Sequence, residues 1–320
     1  MATHTVPSHS LTTPAQQPTA QRVPGRRGRA ATKRRSRVLT YIGLVVAASV
    51  AVFPLLFMIF SSLKPDSQIF ADLGSVKAFL PVGELSLDNY EGVFQRVPAG
   101  RFLLNSAIVT VCIVVLGLVV NSMIGFAIAR MRWKGKRIIL SLVLATLMVP
   151  FETIAVPLVF WVAKLPSLQW VVDGFLVKQG MLNTYQVQIL PYIANALAIF
   201  LFSQHFGDIP KEIDEAARVD GASWFTIYRK IVVPLSGPTF ATVAIIMMLP
   251  AWNSYLWPLM VVQEEAMRPV SVGMQYFFQL NPVWGEIMAY GTLITVPMLV
   301  LFIIFQRSFV QSLAGTAVKG

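Results

Sequence analysis

The sequence predicts an all-α membrane protein with six transmembrane helices and both termini in the cytoplasm. Three observations carry this. Hydrophobic residues make up 55% of the chain and charged residues only 13%, where a soluble domain carries about a quarter charged. Apolar runs near the roughly 20 residues needed to cross a bilayer recur along the chain. Lysine and arginine concentrate in alternate connecting segments, as the positive-inside rule requires.

Residues 1–37 are rich in Thr, Pro, Ser, Gln, Gly and Arg and lack apolar periodicity, so they read as a disordered basic tail. The tail holds eight basic residues (Arg22, Arg26, Arg27, Arg29, Lys33, Arg34, Arg35, Arg37) of a chain whose net charge is +11, and no acid. That distribution fits a topology signal and a lipid-surface contact, and it argues against a nucleic-acid partner. Residues 38–320 read as one six-span membrane domain. The run 38–60 is too long for a signal-peptide core and no small-residue cleavage site follows, so it is the first span, with Pro54 a kink.

A polar loop is expected over 61–101, then a second span over 102–129 containing Asn105, Ser106, Asn121 and Ser122. These four polar residues read as helix–helix contacts. Arg130–Arg137 supplies five basic residues in eight. The third span covers 138–162 and contains Pro150, Glu152 and Pro157. A loop at 163–186 holds an apolar piece, 170–177, too short to cross. The fourth, fifth and sixth spans are 187–206, 239–262 and 287–305. Between the fourth and fifth lies 207–238, which the charge pattern puts in the cytoplasm. The loops 61–101, 163–186 and 263–286 are poor in basic residues for their length and face outside.

The stretch Asp208–Pro238 is the most patterned of the polar interruptions. Asp208 can cap a helix, Pro210 suits its first turn, and Glu212, Asp214 and Glu215 lie near its positive end. Gly221 is expected to stop it in a left-handed C-terminal cap. Ser223 can cap a second helix from Trp224 to about Ile231, ended by Pro234 and Pro238. Ala216, Ala217 and Ala222 leave a low surface that another protein can approach closely.

Glu215-Ala216-Ala217, Asp220-Gly221, Ile231 and Pro234 together resemble the EAA loop of ABC importer permeases, in the carbohydrate branch with the maltose-type subunit. Val233 departs mildly from that pattern, standing where the family usually has leucine. Leu182-Asn183-Thr184-Tyr185, Leu190-Pro191, Phe200-Leu201, Gln204, Trp252-Asn253, Leu256-Trp257-Pro258, Gln306-Arg307, Gly315 and Val318-Lys319-Gly320 extend the likeness over 38–320. The tail and an insert near 165–180 lie outside it. The resemblance implies a type I importer permease in the cell membrane of a prokaryotic-type cell. It implies a second six-span permease as heterodimer partner, a cytoplasmic ABC ATPase dimer that receives the loop, and an extracytoplasmic solute-binding protein. The implied cargo is a sugar or oligosaccharide, with glycerol phosphate or another polyol-like solute as the alternative.

Enzymatic chemistry is not expected in this chain. Gly135-Lys136 lacks the Walker glycine and is followed by Arg137, and HExxH, CxxC and GxSxG patterns do not occur. Cys112 is the single cysteine, and His4, His9 and His205 are scattered, so no metal set can be assembled. No cofactor belongs to this chain; ATP and Mg are expected on the partner ATPase. A passive channel would not need the patterned loop, and a membrane enzyme would want titratable groups clustered at one depth. Glu152 reads either as a polar group at the outer gate or path, or as a carboxylate wetted near the interface. Asn253 and Ser254, among Trp252, Tyr255 and Trp257, read as part of the solute path or as interface and helix-linking residues.

Overall fold

The computed structural model describes residues 26–171, 174–279 and 281–317, with side chains described over 39–168, 176–279 and 281–304. The tail up to residue 25, with His4, His9 and Arg22, and the terminal Val318-Lys319-Gly320 lie outside the described residues. The chain divides into two units, residues 1–54 and 55–320.

Helix α1 (Arg26–Ser61) begins in the first unit and ends in the second. Residues 26–37, read from sequence as disordered tail, are helical. No proline follows Pro24 there, and Ala, Arg and Lys are strong helix formers. Extending an existing helix backwards also avoids the cost of nucleation. The apolar part of α1 exposes Leu39, Tyr41, Ile42, Val45 and Val50, which suits lipid as the surrounding solvent.

The segment expected as a polar loop after α1 is largely structured. It holds α2 (Asp66–Asp72), a 3-10 turn at Val76–Phe79 and α3 (Asp88–Arg96). Helix α4 (Ala99–Arg130) follows, 32 residues without a proline. The third apolar run is two helices, α5 (Lys136–Ala145) and α6 (Phe151–Val162), which cross at 101°. The break falls at Val149, held extended at ψ 113°, because proline excludes the helical conformation from the residue before it. The insert contains an antiparallel hairpin, β1 (Pro166–Val171) and β2 (Gly174–Gln179), registered Pro166 to Gln179 and Val171 to Gly174. It is the one sheet among the described residues. The described parts of the apolar piece expected at 170–177 belong to it.

The fourth run is likewise split, into α7 (Tyr185–Ile193) and α8 (Ala196–Asp208), bent by 43°. Then come α9 (Lys211–Val219), α10 (Trp224–Ile227), a π-helical turn at Tyr228–Val232 and α11 (Val233–Leu235). The line of α10–α11 meets α12 (Gly237–Trp252) at 83°. The fifth apolar run is thus α12, a break at Asn253–Tyr255 and α13 (Leu256–Val261). The next loop holds α14 (Val270–Gly273) between two 3-10 turns. Helix α15 (Trp284–Ala317) closes the described chain, with Gln306, Arg307 and Gly315 on its backbone. Among the described residues, three helices are long and apolar enough to cross a membrane, or up to six if each bent pair is one span.

The largest core of the second unit packs Val109, Ile113 and Phe126 of α4 against Phe202 and Phe206 of α8 and Val243 and Met247 of α12. The helices approach closely at Gly125, where an added Cβ would stand 2.6 Å from Phe202 Cβ and 3.0 Å from the Ser203 backbone nitrogen. Small residues let membrane helices gain dispersion contact that lipid would otherwise supply.

The polar residues of α4 fasten neighbouring elements. Asn121 Nδ2 donates to the carbonyls of Gly117 (2.7 Å) and Ile193 (2.8 Å), and its Oδ1 accepts from the Asn195 backbone N–H at 2.9 Å. Asn195 in turn caps α8 by accepting from Ala198 N. The backbone groups freed at the α7–α8 break are therefore satisfied inside the protein, the condition for a broken helix at membrane depth. Asn105 Nδ2 reaches the carbonyls of Ala266 and Arg268, both at 2.9 Å. Ser106 Oγ accepts from Val270 N, and Ser122 shares a 2.7 Å hydrogen bond with Tyr228. All four α4 residues make contacts between segments.

Candidate functional site

Residues 208–238 form a helix–turn–helix between α8 and α12. Asp208 does not cap its first helix. It is the last residue of α8, because Ile209 precedes Pro210 and is held extended at ψ 132°. Pro210 itself occupies the cap position of α9, and Glu212 and Asp214 lie in the first turn. Gly221 ends the helix with φ +81°. The Ala222 N–H bonds to Ala217 O at 2.9 Å and the Gly221 N–H to Arg218 O at 3.0 Å. Those two bonds define a Schellman cap, which calls for a left-handed residue at that position.

Ser223 then caps the second helix, its Oγ accepting from Thr226 N at 3.2 Å. This helix does not stop near Ile231. It continues through the π turn to Leu235 and carries Pro234 inside it. Proline lacks an N–H and its ring crowds the carbonyl four residues back. The Val233 N–H bonding to Tyr228 O, five residues back, widens the helix immediately before the ring. Ser236 Oγ returns to Val232 O at 2.6 Å before the chain turns into α12.

The segment is anchored by a residue that sequence reasoning counted only as loop charge. Arg130, the last residue of α4, is buried. Its Nε donates to Asp214 Oδ2 at 2.7 Å, its Nη1 to the carbonyls of Phe206 and Ile209, and its Nη2 to Pro210 O. One guanidinium thus gathers the end of α8, the α8–α9 turn and α9 onto α4. The planar five-donor fork of arginine suits this task and the single ammonium of lysine does not. Asp214, an acid near the positive end of α9, is buried opposite Arg130, which gives it a specific partner. The one available signal was an arginine directly abutting an apolar run, and nothing local marked Asp214 as its mate.

The other singled-out positions divide between surface and interior. Glu215, Ala216, Asp220, Gly221 and Pro234 are exposed, and Ala217 and Ile231 half-buried. Glu152 is exposed in the first turn of α6. Asn253 is exposed and bonds back to Leu249 O on its own helix at 2.9 Å. Ser254 turns inward, 3.5 Å from the Tyr192 hydroxyl, onto a cavity of about 10 Å³ lined also by Ser106 and Gln188. That room is near the least that holds one water. Gln188 Oε1 is buried without a partner among the described residues. The structure therefore parts Asn253 from Ser254, and neither adjoins the Arg130–Asp214 anchor. No group of three or more metal-ligating side chains occurs among the described residues.

A bundle of long and broken apolar helices, with a helix–turn–helix fastened to its end, defines an integral membrane permease. The family described as binding-protein-dependent transport system inner membrane component matches residues 121–315. The arabinooligosaccharides permease protein AraQ of Halalkalibacterium halodurans is 36% identical over 288 residues, covering 88% of this chain and 96% of that protein. The trehalose/maltose permease protein MalG of Thermococcus litoralis is 30% identical, covering 89% and 97%. The sn-glycerol-3-phosphate permease protein UgpE of Brucella suis is 31% identical, covering 88% and 97%. A crystal structure of a bacterial ABC transporter involved in alginate import shares the fold, with 19% identity, a TM-score of 0.68, and coverage of 91% of this chain and 99% of that one. The chain belongs to the family of binding-protein-dependent transport system inner membrane components, as the Glu215–Pro234 pattern implied. It is a membrane transport subunit and not an enzyme.

Proposed function

We propose that this chain is one half of a heterodimeric, six-span permease in an ABC importer for a sugar or oligosaccharide, with both termini in the cytoplasm. The observation that carries this reading is the Arg130 anchor. It joins a solvent-facing helix–turn–helix to a long membrane helix, so a force on α9 acts on α4. Glu215, Ala216, Ala217, Asp220 and Gly221, with Ile231 and Pro234 behind them, form the surface that receives a cytoplasmic ATPase dimer. ATP and Mg are held there, on the partner. Closure of the ATPases moves α9 and shifts the bundle between inward- and outward-open states. An extracytoplasmic solute-binding protein delivers the cargo, as the family description supports.

Ser254, with Tyr192 and Gln188, supplies hydroxyl and amide groups suited to a sugar path, and Glu152 and Asn253 are the exposed polar groups nearest in role. The likeness to a permease named for sn-glycerol 3-phosphate favours a second reading, in which the cargo is such a polyol phosphate. Co-purification of the tagged chain from its native membrane tests the assembly. An ABC ATPase, a second permease and a binding protein are expected. Titrating that binding protein with sugars and with glycerol phosphate separates the two cargoes, and recovery of the chain alone would overturn the coupling role.

A further inference from the structure

A cleft of about 440 Å³ opens where α4 ends, between the α4–α5 turn and α9. Its floor is the Arg130–Asp214 pair, whose charges cancel. Its walls carry Arg132, Lys136, Lys211 and Arg218 against a single acid, Glu215. Arg132 and Lys211 are exposed and make no ion pair among the described residues. Among the described residues Lys136 Nζ reaches only the Met131 carbonyl, at 3.3 Å, and the Arg218 guanidinium lies 4.9 Å from the Trp224 ring centroid. The cleft therefore holds a surplus of positive charge that the protein leaves unneutralised.

The same tryptophan also lines a second hollow. Trp224 walls an apolar groove of about 210 Å³ with Met123, Phe126, Met131, Phe225 and Tyr228. Met123 and Phe225 are exposed along it. A cationic cleft and an apolar groove thus share one aromatic wall at the end of a membrane helix. Tryptophan favours that depth, where hydrocarbon gives way to headgroups. A soluble anion would use only the cleft, and an acidic peptide would gain nothing from a groove running beside α4. One class of molecule carries a phosphate joined to a hydrocarbon chain.

We propose that this composite site binds an anionic phospholipid, with its phosphodiester among Arg132, Lys136, Lys211 and Arg218 and an acyl chain along the groove. Basic pockets beside membrane helices hold acidic headgroups on this principle. The site flanks the surface proposed to receive the ATPase and meets it at Glu215. Lys211, Asp214, Glu215 and Arg218 share one side of the helix, at i, i+3, i+4 and i+7. Ile213, Ala216, Val219 and Asp220 take the other, with Val219 88% exposed.

The test uses the full chain in its native complex, equilibrated with phosphatidylcholine vesicles containing phosphatidylglycerol, and counts retained lipid by native mass spectrometry. Phosphatidylglycerol is expected to be enriched over its share of the vesicle. Arg132→Gln with Lys136→Gln is expected to lower that enrichment about fivefold for each cation removed, and phosphatidylcholine retention should not move. Phe225→Ser should weaken retention while leaving the headgroup preference. Unchanged enrichment in the double variant would overturn the site. Displacement by inorganic phosphate as effective as by lipid would make it a soluble-anion site and overturn the lipid assignment. Loss of a protein subunit from the double variant with lipid retention intact would assign the cleft to that subunit instead.

Discussion

Arg130 Nε and Asp214 Oδ2 lie 2.7 Å apart, joined across 84 positions of sequence, with side chains only 1% and 8% exposed. Three of the four remaining guanidinium N–H groups go to the carbonyls of Phe206, Ile209 and Pro210, so the arginine charge is both paired and hydrogen-bonded. Such a pair adds little over an apolar one, but deleting one partner strands a buried charge at a cost of about 3–5 kcal/mol.

Asp214→Leu or Arg130→Met should therefore each destabilise the purified protein by about that amount and release α9 from α4. Asp214→Leu combined with Arg130→Met should recover most of the loss, since neither charge is then stranded. Thermal melting of the four proteins checks this as a double-mutant cycle. Equal destabilisation in the double variant and in the sum of the singles would show that the pair is not coupled.

Glu215→Lys and Gly221→Asp should abolish solute uptake while the chain still inserts and assembles in the membrane. Gly221 sits at φ +81°, so a side chain there costs about 1–2 kcal/mol locally and distorts the cap. Uptake into cells, measured beside the amount of chain in the membrane fraction, separates lost coupling from lost protein. Wild-type uptake by either variant would refute the coupling surface.

Asn121→Leu should loosen the α7–α8 joint. It leaves the Asn195 N–H and the Ile193 carbonyl unpartnered within the protein, at about 1–3 kcal/mol for each unsatisfied group. Hydrogen exchange at the start of α8 should quicken, with α15 unchanged. Unaltered protection at Asn195 would show that water replaces the side chain.

Lys64, 1% exposed, bonds to Asp72 Oδ2 at 3.0 Å and to the Lys77 carbonyl at 2.7 Å. The hydrogen bond from Lys64 holds the Asp72 carboxyl below the usual carboxylate range, against the opposing effect of burial. A depressed folded value means the contribution is full above the unfolded pKa, near 4, and is lost as pH falls through the folded one. Limited proteolysis of residues 61–101 should therefore accelerate only below about pH 4, and Asp72→Asn should remove that acid-dependent step. An unchanged pH profile in Asp72→Asn would place the step elsewhere.

Apolar run length was legible because lipid imposes it on every spanning segment. The Gly221 stop and the Ser223 cap were legible because each depends on one residue type at one position. The bends were not. Hydropathy is the same for a straight span and for α5–α6 crossing at 101°, and the break at Asn195 depends on Asn121, far away in sequence. Pro234 misled in the opposite sense, since a widened turn upstream lets the helix carry it. The hairpin of the insert is not legible, because hydropathy sets the short apolar piece 170–177 only against the length of a span. Arg130 illustrates the limit best. Its charge was visible as topology, but its role exists only where four backbone and side-chain acceptors converge.

Helix α4 differs from the other two helices of span length, since α1 contains Pro54 and α15 contains Pro297. At 1.5 Å per residue its 32 residues reach about 48 Å. One end grips α9 through Arg130, and near the other Asn105 grips the backbone at Ala266 and Arg268. Its bent neighbours can absorb a displacement in their joints. This helix has no joint, so it behaves as an axle whose tilt at one hub is repeated at the other.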